Sequence, residues 1–234
     1  MEKKLLVSDY DDTFKTTPVP FEKNIKSVKN FRSKGNIFMI ATARTYESIK
    51  EEVDKYKIEY DYLSCLDGAQ LYDKDGKLLD ATFIDEINKL NLKELKERFK
   101  YVESITPHTH EDKILYYTIL TRIFVRTNEL KDTIASNKGL RIRSIPGLIQ
   151  VQPNFTVKSN SIEYLKKHLG IRDLNIYTIG DSGNDIDMVR DYNGFNVLFA
   201  TPGLYRVSQR PYVTVSGLIN DIEKGKAKTR TKSY

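Results

Sequence analysis

The chain has no tryptophan and only one cysteine, Cys65, in 234 residues. A single cysteine excludes an intrachain disulfide and a cysteine-built metal cluster. Cys65 lies in an apolar stretch and is expected to be a small core residue. No apolar run approaches the roughly 20 residues that a membrane-spanning helix needs. The run after Met1-Glu2-Lys3-Lys4 is broken at Asp9, too soon for a secretory signal. A cytoplasmic protein without a membrane partner is the expectation. A basic field is also missing, despite a formal net charge of +6. Five cations and no acid fall in residues 224–234, and the remainder carries 33 cations against 32 acids. Such a body gives no support to nucleic-acid binding. The tail Lys224–Tyr234 is expected to be a frayed, solvated end. There is no internal repeat.

What the chain does contain is an alternation of apolar runs and amphipathic stretches. Leu5-Leu6-Val7 reads as a buried strand ending at Asp9. Residues 22–34 follow as a helix with Ile25, Val28 and Phe31 on one face. Strands are expected over 36–41 and 60–66, with a helix over 46–57 between them. Strands apolar on both faces, alternating with helices, imply a parallel sheet covered on both sides. After Asp67-Gly68 the pattern changes. A hairpin brackets Asp73–Lys77, and a charged helix is expected over 85–99. Strand-like runs follow at 114–120 and 123–126, then a helix near 128–138 and strands at 140–145 and 148–152. From Thr156 the first pattern returns, with a helix over 159–169, a strand over 175–179, a short helix near 184–191 and a strand over 195–199. The expected organisation is a discontinuous core, residues 1–68 and 153–234, carrying an inserted α+β domain of residues 69–152.

Acidic and polar segments stand directly after three of the core strands: Asp9-Tyr10-Asp11-Asp12-Thr13, Thr42-Ala43-Arg44 and Gly180-Asp181-Ser182-Gly183-Asn184-Asp185. Lys158 opens a helix. Ligands of parallel α/β sheets bind beyond the carboxyl ends of the strands, so these segments are expected to converge. Asp9 is the candidate nucleophile, since a carboxylate attacks phosphorus only with its charge offset. Asp11, two residues on, suits a general acid and base. Asp181 and Asp185, with Asp9, form an oxygen-rich site for hard Mg²⁺. Thr42 and Lys158 offer a hydroxyl and a point charge to a phosphoryl group, and Lys158 should pair with Asp9 or Asp185. Asn184 is placed to orient Lys158 or a metal-bound water. Taken singly, each feature has a plainer explanation: a solvated turn, a helix cap, a surface lysine. Their conjunction in one order within an α/β frame favours a site.

These segments resemble the four motifs of the haloacid-dehalogenase-like phosphatase superfamily, with Gly180–Met188 the most specific. The spacing of 116 positions between Thr42 and Lys158 resembles that of the branch with a large cap between the second and third motifs. Asp67-Gly68-Ala69 and Val151–Lys158 are similar to Cof-like sugar phosphatases. The resemblance implies a Rossmann-like core with an inserted cap that covers the site, and a Mg²⁺-dependent phosphatase acting through an aspartyl phosphate. The substrate would be a small phosphorylated metabolite such as a sugar phosphate. It implies catalytic roles for Asp9 and Asp11, and phosphate contacts from Thr42, Lys158 and Asn184. The metal would be held by Asp9, the backbone carbonyl of Asp11, and Asp181, beside Asp185. A phosphomutase using the same intermediate and a weakly catalytic phospho-ligand-binding protein are the alternatives. Family members usually carry glycine where this chain has Asp12 and Ala43. His108, His110, Glu111 and Asp112 read as a solvated polar loop. Arg44 is expected either to meet an anionic substrate or to form a structural ion pair.

Overall fold

A computed structural model describes residues 2–16 and 21–229. In chain order, the first half of the core contains β1 (Leu5–Ser8), α1 (Glu22–Ser33), β2 (Ile37–Ala41), α2 (Tyr46–Lys55) and β3 (Tyr62–Cys65). A hairpin of β4 (Gln70–Asp73) and β5 (Leu78–Ala81) follows. Asp73 turns that hairpin: its carboxylate accepts from the backbone amides of Asp75 and Lys77. The next unit contains α3 (Leu92–Arg98), β6 (Val102–His110), β7 (Lys113–Thr121), α4 (Asn128–Ala135), β8 (Leu140–Ile145) and β9 (Leu148–Pro153). The chain then returns through α5 (Ser159–Leu169), β10 (Ile176–Gly180), α6 (Ile186–Asp191), β11 (Asn193–Val197), α7 (Pro202–Tyr205), β12 (Pro211–Tyr212) and α8 (Val215–Glu223).

Two compact units result, one of residues up to Asp80 and from Val157, the other Ala81–Thr156. The first is built on an eight-stranded sheet in the order β12-β11-β10-β1-β2-β3-β4-β5. Pairing from β12 through β3 is parallel, and β4 joins β3 antiparallel. Both faces are covered. On one, Leu6, Phe14, Phe38, Ile40 and Phe195 pack with residues of α1, α2 and α8. On the other, Leu5, Val7, Met39 and Ile176 pack with Ile162 and Leu165 of α5 and Met188 and Val189 of α6. This is the doubly covered sheet expected from strands apolar on both faces. The strand order reverses at β1, so the exits of β1 and β10 lie side by side at the switch point where ligands of such sheets bind.

The second unit is a four-stranded antiparallel sheet, β6-β7-β9-β8. Ile105, Tyr117, Ile119, Ile149 and Val151 pack there against Leu95 of α3 and Leu130 and Ile134 of α4. Among the described residues no helix is long and apolar enough to cross a membrane. Cys65 is buried and unpaired.

Several expectations are corrected. The hairpin at 70–81 pairs with the core sheet through β3, so the core continues to Asp80 instead of ending at residue 68. Its return begins at Val157 instead of 153. The helix expected over 85–99 is divided into a 3₁₀ turn, Glu86–Asn88, and α3. Asn91 causes the division, because its side chain caps the amide of Glu94 and restarts the helix. Residues 102–110 form a strand, so His108 and His110 are not on a loop, and His108 stacks on Tyr116 at 4.1 Å. Residues 123–126 are irregular, with Phe124 at φ +69°. Residues 224–227 are not frayed as expected. The amide of Ala227 bonds to the Asp221 carbonyl and its side chain is buried against the core. Residues 230–234 of that tail lie outside the described residues.

Phe38 is fully buried and packs 5.5 Å from Phe14, whereas Phe199 is 90% exposed. Replacing Phe38 by alanine is expected to lower unfolding free energy by about 3–5 kcal/mol, and Phe199→Ala by less than about 0.5 kcal/mol. Denaturant melts of the two variants check this; equal losses would contradict the assigned core.

Candidate active site

The exits of β1 and β10 deliver the first two acids. The Asp9 amide donates to the Ile179 carbonyl at 3.0 Å, which extends the β1–β10 ladder by one residue and fixes Asp9 beside the end of β10. The turn after Asp9 is closed by Phe14 and Lys15 amides bonding back to the Asp9 and Tyr10 carbonyls. Asp12 holds that turn at φ +57° with its side chain exposed. An aspartate tolerates the left-handed region better than most residues. It therefore serves where the motif resemblance leads one to expect glycine, and its charge stays in solvent. Ala43 is not among the residues at positive φ, so its methyl meets no backbone demand for glycine.

Lys158, the residue that opens α5, has no exposed surface. Its Nζ lies 2.5 Å from Asp9 Oδ1 and 2.6 Å from Asp185 Oδ1, so it pairs with both of its expected partners. Burial disfavours the ammonium, but the two carboxylates outweigh it and hold Lys158 above its ordinary value. Asp185 Oδ2 accepts the backbone amides of Asp181 and Ser182, each at 3.0 Å. Asp185 thus closes a capping box at the start of the following turn while its other oxygen meets the lysine. Gly180 leaves room for this: a Cβ there would lie 2.4 Å from Asp185 Cγ.

Oxygens of Asp9, Asp181 and Asp185 lie within 4.8 Å of one another. Burial pushes the Asp9 carboxyl well above its usual value, against the pull of Lys158. Burial, then the charge of Asp185, also raises Asp181. Carboxyl groups crowded this closely favour a proton or a cation among them. Three carboxylates face one ammonium here, and a dication closes that balance. All the donors are oxygens, the chemistry that suits a hard divalent ion.

The remaining candidates sit around this cluster. Thr42 is buried at the end of β2, its amide bonded to the Ser64 carbonyl and its Oγ1 accepting from the Arg44 amide. The Asp11 carboxylate stands apart from the cluster, half exposed and gripped by Arg44 at 2.7 and 2.8 Å. The structure therefore has Arg44 in an ion pair, one of its two expected roles. Asn184 donates to Asp67 Oδ1 at 2.9 Å and accepts from Ser182 Oγ, while the ammonium of Lys158 is taken by Asp9 and Asp185. Three participants were not foreseen. Thr13 donates to Asp181 Oδ1 at 3.0 Å. Asp187 accepts the Ser159 amide at the start of α5. Asp67 is the partner of Asn184. The first two have local signals, a hydroxyl closing the first acidic segment and an acid following the fourth; Asp67 stands in a segment singled out by resemblance, but nothing local links it to Asn184.

A model of the haloacid dehalogenase-like hydrolases matches residues 6–131 and 91–200. The chain belongs to the haloacid dehalogenase-like hydrolases. It is 24% identical over 205 residues to the 5-amino-6-(5-phospho-D-ribitylamino)uracil phosphatase YcsE of Bacillus subtilis (strain 168), covering 80% of each chain. Its fold is similar to that of a HAD/Cof-like hydrolase from Plasmodium vivax, with a TM-score of 0.74, 20% identity and 96% of each chain covered. It is also similar to a subclass IIB sugar phosphatase of the same superfamily, with a TM-score of 0.69, 18% identity and 94% and 99% of the chains covered. At these identities the two structures speak for the fold alone. As a haloacid dehalogenase-like hydrolase, the chain carries its acidic cluster at the sheet edge where its fold binds ligands.

The raised value of Asp9 gives a pH prediction with a definite sign. The folded, metal-free protein binds a proton there more tightly than the unfolded chain. That contribution is full below the ordinary carboxylate value of about 4 and is lost as pH rises through the folded value. A divalent ion bound at these oxygens would take the place of the proton. Added Mg²⁺ is expected to raise the melting temperature more at neutral than at acidic pH. A shift that is constant with pH, or larger in acid, would contradict the cluster as a cation site.

Proposed function

We propose that this hydrolase is a Mg²⁺-dependent phosphatase of the cytoplasm that acts on a small phosphorylated metabolite. The observation that carries the reading is the buried lysine between two carboxylates with a third alongside, a charge arrangement short of one dication. Asp9 and Asp181 would offer carboxylate oxygens to the metal, and the Asp11 carbonyl would add the further ligand that the motif resemblance implies. Asp185, whose oxygens already accept from Lys158 and two amides, completes the charge of the cluster and holds the loop. A bound Mg²⁺ would offset the negative charge of the nucleophile and of the phosphoryl oxygens.

The chain's own residues supply the rest. An Asp9 oxygen attacks phosphorus, the bond to the leaving oxygen breaks, and Asp11 gives that oxygen its proton. Water then attacks the aspartyl phosphate and surrenders a proton to Asp11, and the Asp9–phosphorus bond breaks to release inorganic phosphate. Lys158 stays charged throughout and stabilises the transferring group, with Thr42 and Asn184 donating to its oxygens. Asp11 must leave Arg44 for part of this cycle, and an exposed ion pair of this kind is weak enough to permit it. The single buried cysteine suits a reducing compartment. YcsE and the subclass IIB neighbour act, by their names, on a phosphoribityl compound and on sugar phosphates. A sugar or sugar-alcohol phosphate is accordingly the substrate class proposed.

Phosphate release from a panel of sugar and polyol phosphates tests the reading. Asp9→Asn is expected to lower turnover on the order of 10³-fold or more while circular dichroism stays unchanged. Chelator should abolish activity and Mg²⁺ restore it. Undiminished turnover by Asp9→Asn, or activity that persists in chelator, would overturn the proposal. Phosphate returned to a sugar without release would turn it to a mutase.

A further inference from the structure

Asp67 is a buried carboxylate, 1% exposed, that the reaction just described does not use. It lies at the centre of a strained segment. Leu66, Asp67 and Gly68 follow one another at φ +51°, +53° and +86°, a run of left-handed residues of which only one is glycine. Such strain persists only where the surroundings determine it, and here they do. The Leu66 amide bonds to the Arg44 carbonyl at 2.9 Å and the Asp67 amide to the Thr42 carbonyl at 3.0 Å. A Cβ on Gly68 would lie 2.1 Å from the Val157 carbonyl oxygen, so the turn packs directly on the peptide that leads into Lys158. The unusual backbone places the Asp67 carboxylate 2.9 Å from Nδ2 of Asn184.

We infer that Asp67 is a positioning residue that sets which way the Asn184 amide faces. An amide side chain has a donor end and an acceptor end that differ little in shape. Asp67 Oδ1 accepts from the donor end, and Ser182 Oγ donates to the acceptor end. A flipped amide would bring oxygen against oxygen at Asp67. With the observed orientation fixed, the second N–H of Asn184 is left to donate to a phosphoryl oxygen. The inference rests on the proposed phosphatase reading, in which Asn184 contacts the transferring group. It explains why a buried acid stands on a strained turn: the turn ties the segment after β2, the start of α5 and the loop after β10 into one arrangement.

The test is steady-state kinetics on the intact protein with p-nitrophenyl phosphate and Mg²⁺. Asp67→Leu removes the acceptor and is expected to lower kcat/KM about 5- to 100-fold, the effect of one lost buried hydrogen bond. Asp67→Asn keeps an acceptor oxygen and should retain most of the activity. In an Asn184→Ala background, Asp67→Leu should cost no more than about twofold further, because the two act as a unit. Should Asp67→Leu not fold, the exchanged pair Asp67→Asn with Asn184→Asp decides. It keeps the contact with donor and acceptor reversed, so melting temperature should approach that of the wild type while kcat/KM stays low. Additive losses, loss in Asp67→Asn as large as in Asp67→Leu, or recovery of activity in the exchanged pair would overturn the inference. Asp9→Asn in the same assay keeps the two proposals apart: if it turns over normally, the phosphatase reading fails. If it is inactive and the position-67 variants behave like wild type, only the role of Asp67 fails.

Discussion

An ammonium group with no access to water is stable only where carboxylates replace the water it has lost, and Lys158 has two, at 2.5 and 2.6 Å. Asp9 comes from the end of β1, Asp185 from the turn after β10, and Lys158 from the start of α5. One ion-paired triad therefore ties the two central strands to a helix that covers the sheet. Removing the lysine would leave two buried carboxylates uncompensated, a lesion of about 3–5 kcal/mol in comparable buried pairs. The same triad is electrostatically incomplete, because Asp181 adds a third acid within 4.8 Å of the other two. Stability and chemistry thus draw on one set of charges. The lysine holds Asp9, the proposed nucleophile, and the acids beside it could hold a metal ion.

The sheet explains why these groups meet. Strands wind outward from β1 to β3, and the chain then returns to the other side of β1 through β10, β11 and β12. Residues 9 and 181, far apart in sequence, follow neighbouring strands. Asp185 folds back onto the loop amides through its capping box and so aims its other oxygen at Lys158. Each device is local and ordinary, and it is the switch in strand order that joins them.

Much of this was legible from the chain alone because the signals are periodic or positional. Buried parallel strands read as unbroken apolar runs, and an acid or hydroxyl directly after such a run marks the sheet's ligand edge. Lys158, Asp9 and Asp185 could be paired in advance because a lysine among acids needs partners. Other features carried no such signal. β6 was missed because its sequence, with Glu103, Thr106, Pro107 and two histidines, is largely polar and has only its Val102 and Ile105 side chains buried. The hairpin of β4 and β5 was recognised but assigned to the wrong unit, since local turn chemistry does not say which sheet edge a hairpin joins. The grip of Arg44 on Asp11 and of Asp67 on Asn184 depends on side-chain contacts across 33 and 117 residues. No spacing rule reaches those.

The central claim is that the buried triad presents Asp9 to a metal-assisted phosphoryl group. A crystal structure grown with Mg²⁺ and beryllofluoride, which mimics a phosphoryl group on a carboxylate, tests it most directly. The account predicts beryllium bonded to an Asp9 oxygen, Mg²⁺ between Asp9 and Asp181, and Lys158 still in contact with Asp185. An Asp9 that remains unmodified, with the metal and fluoride bound elsewhere, would contradict it.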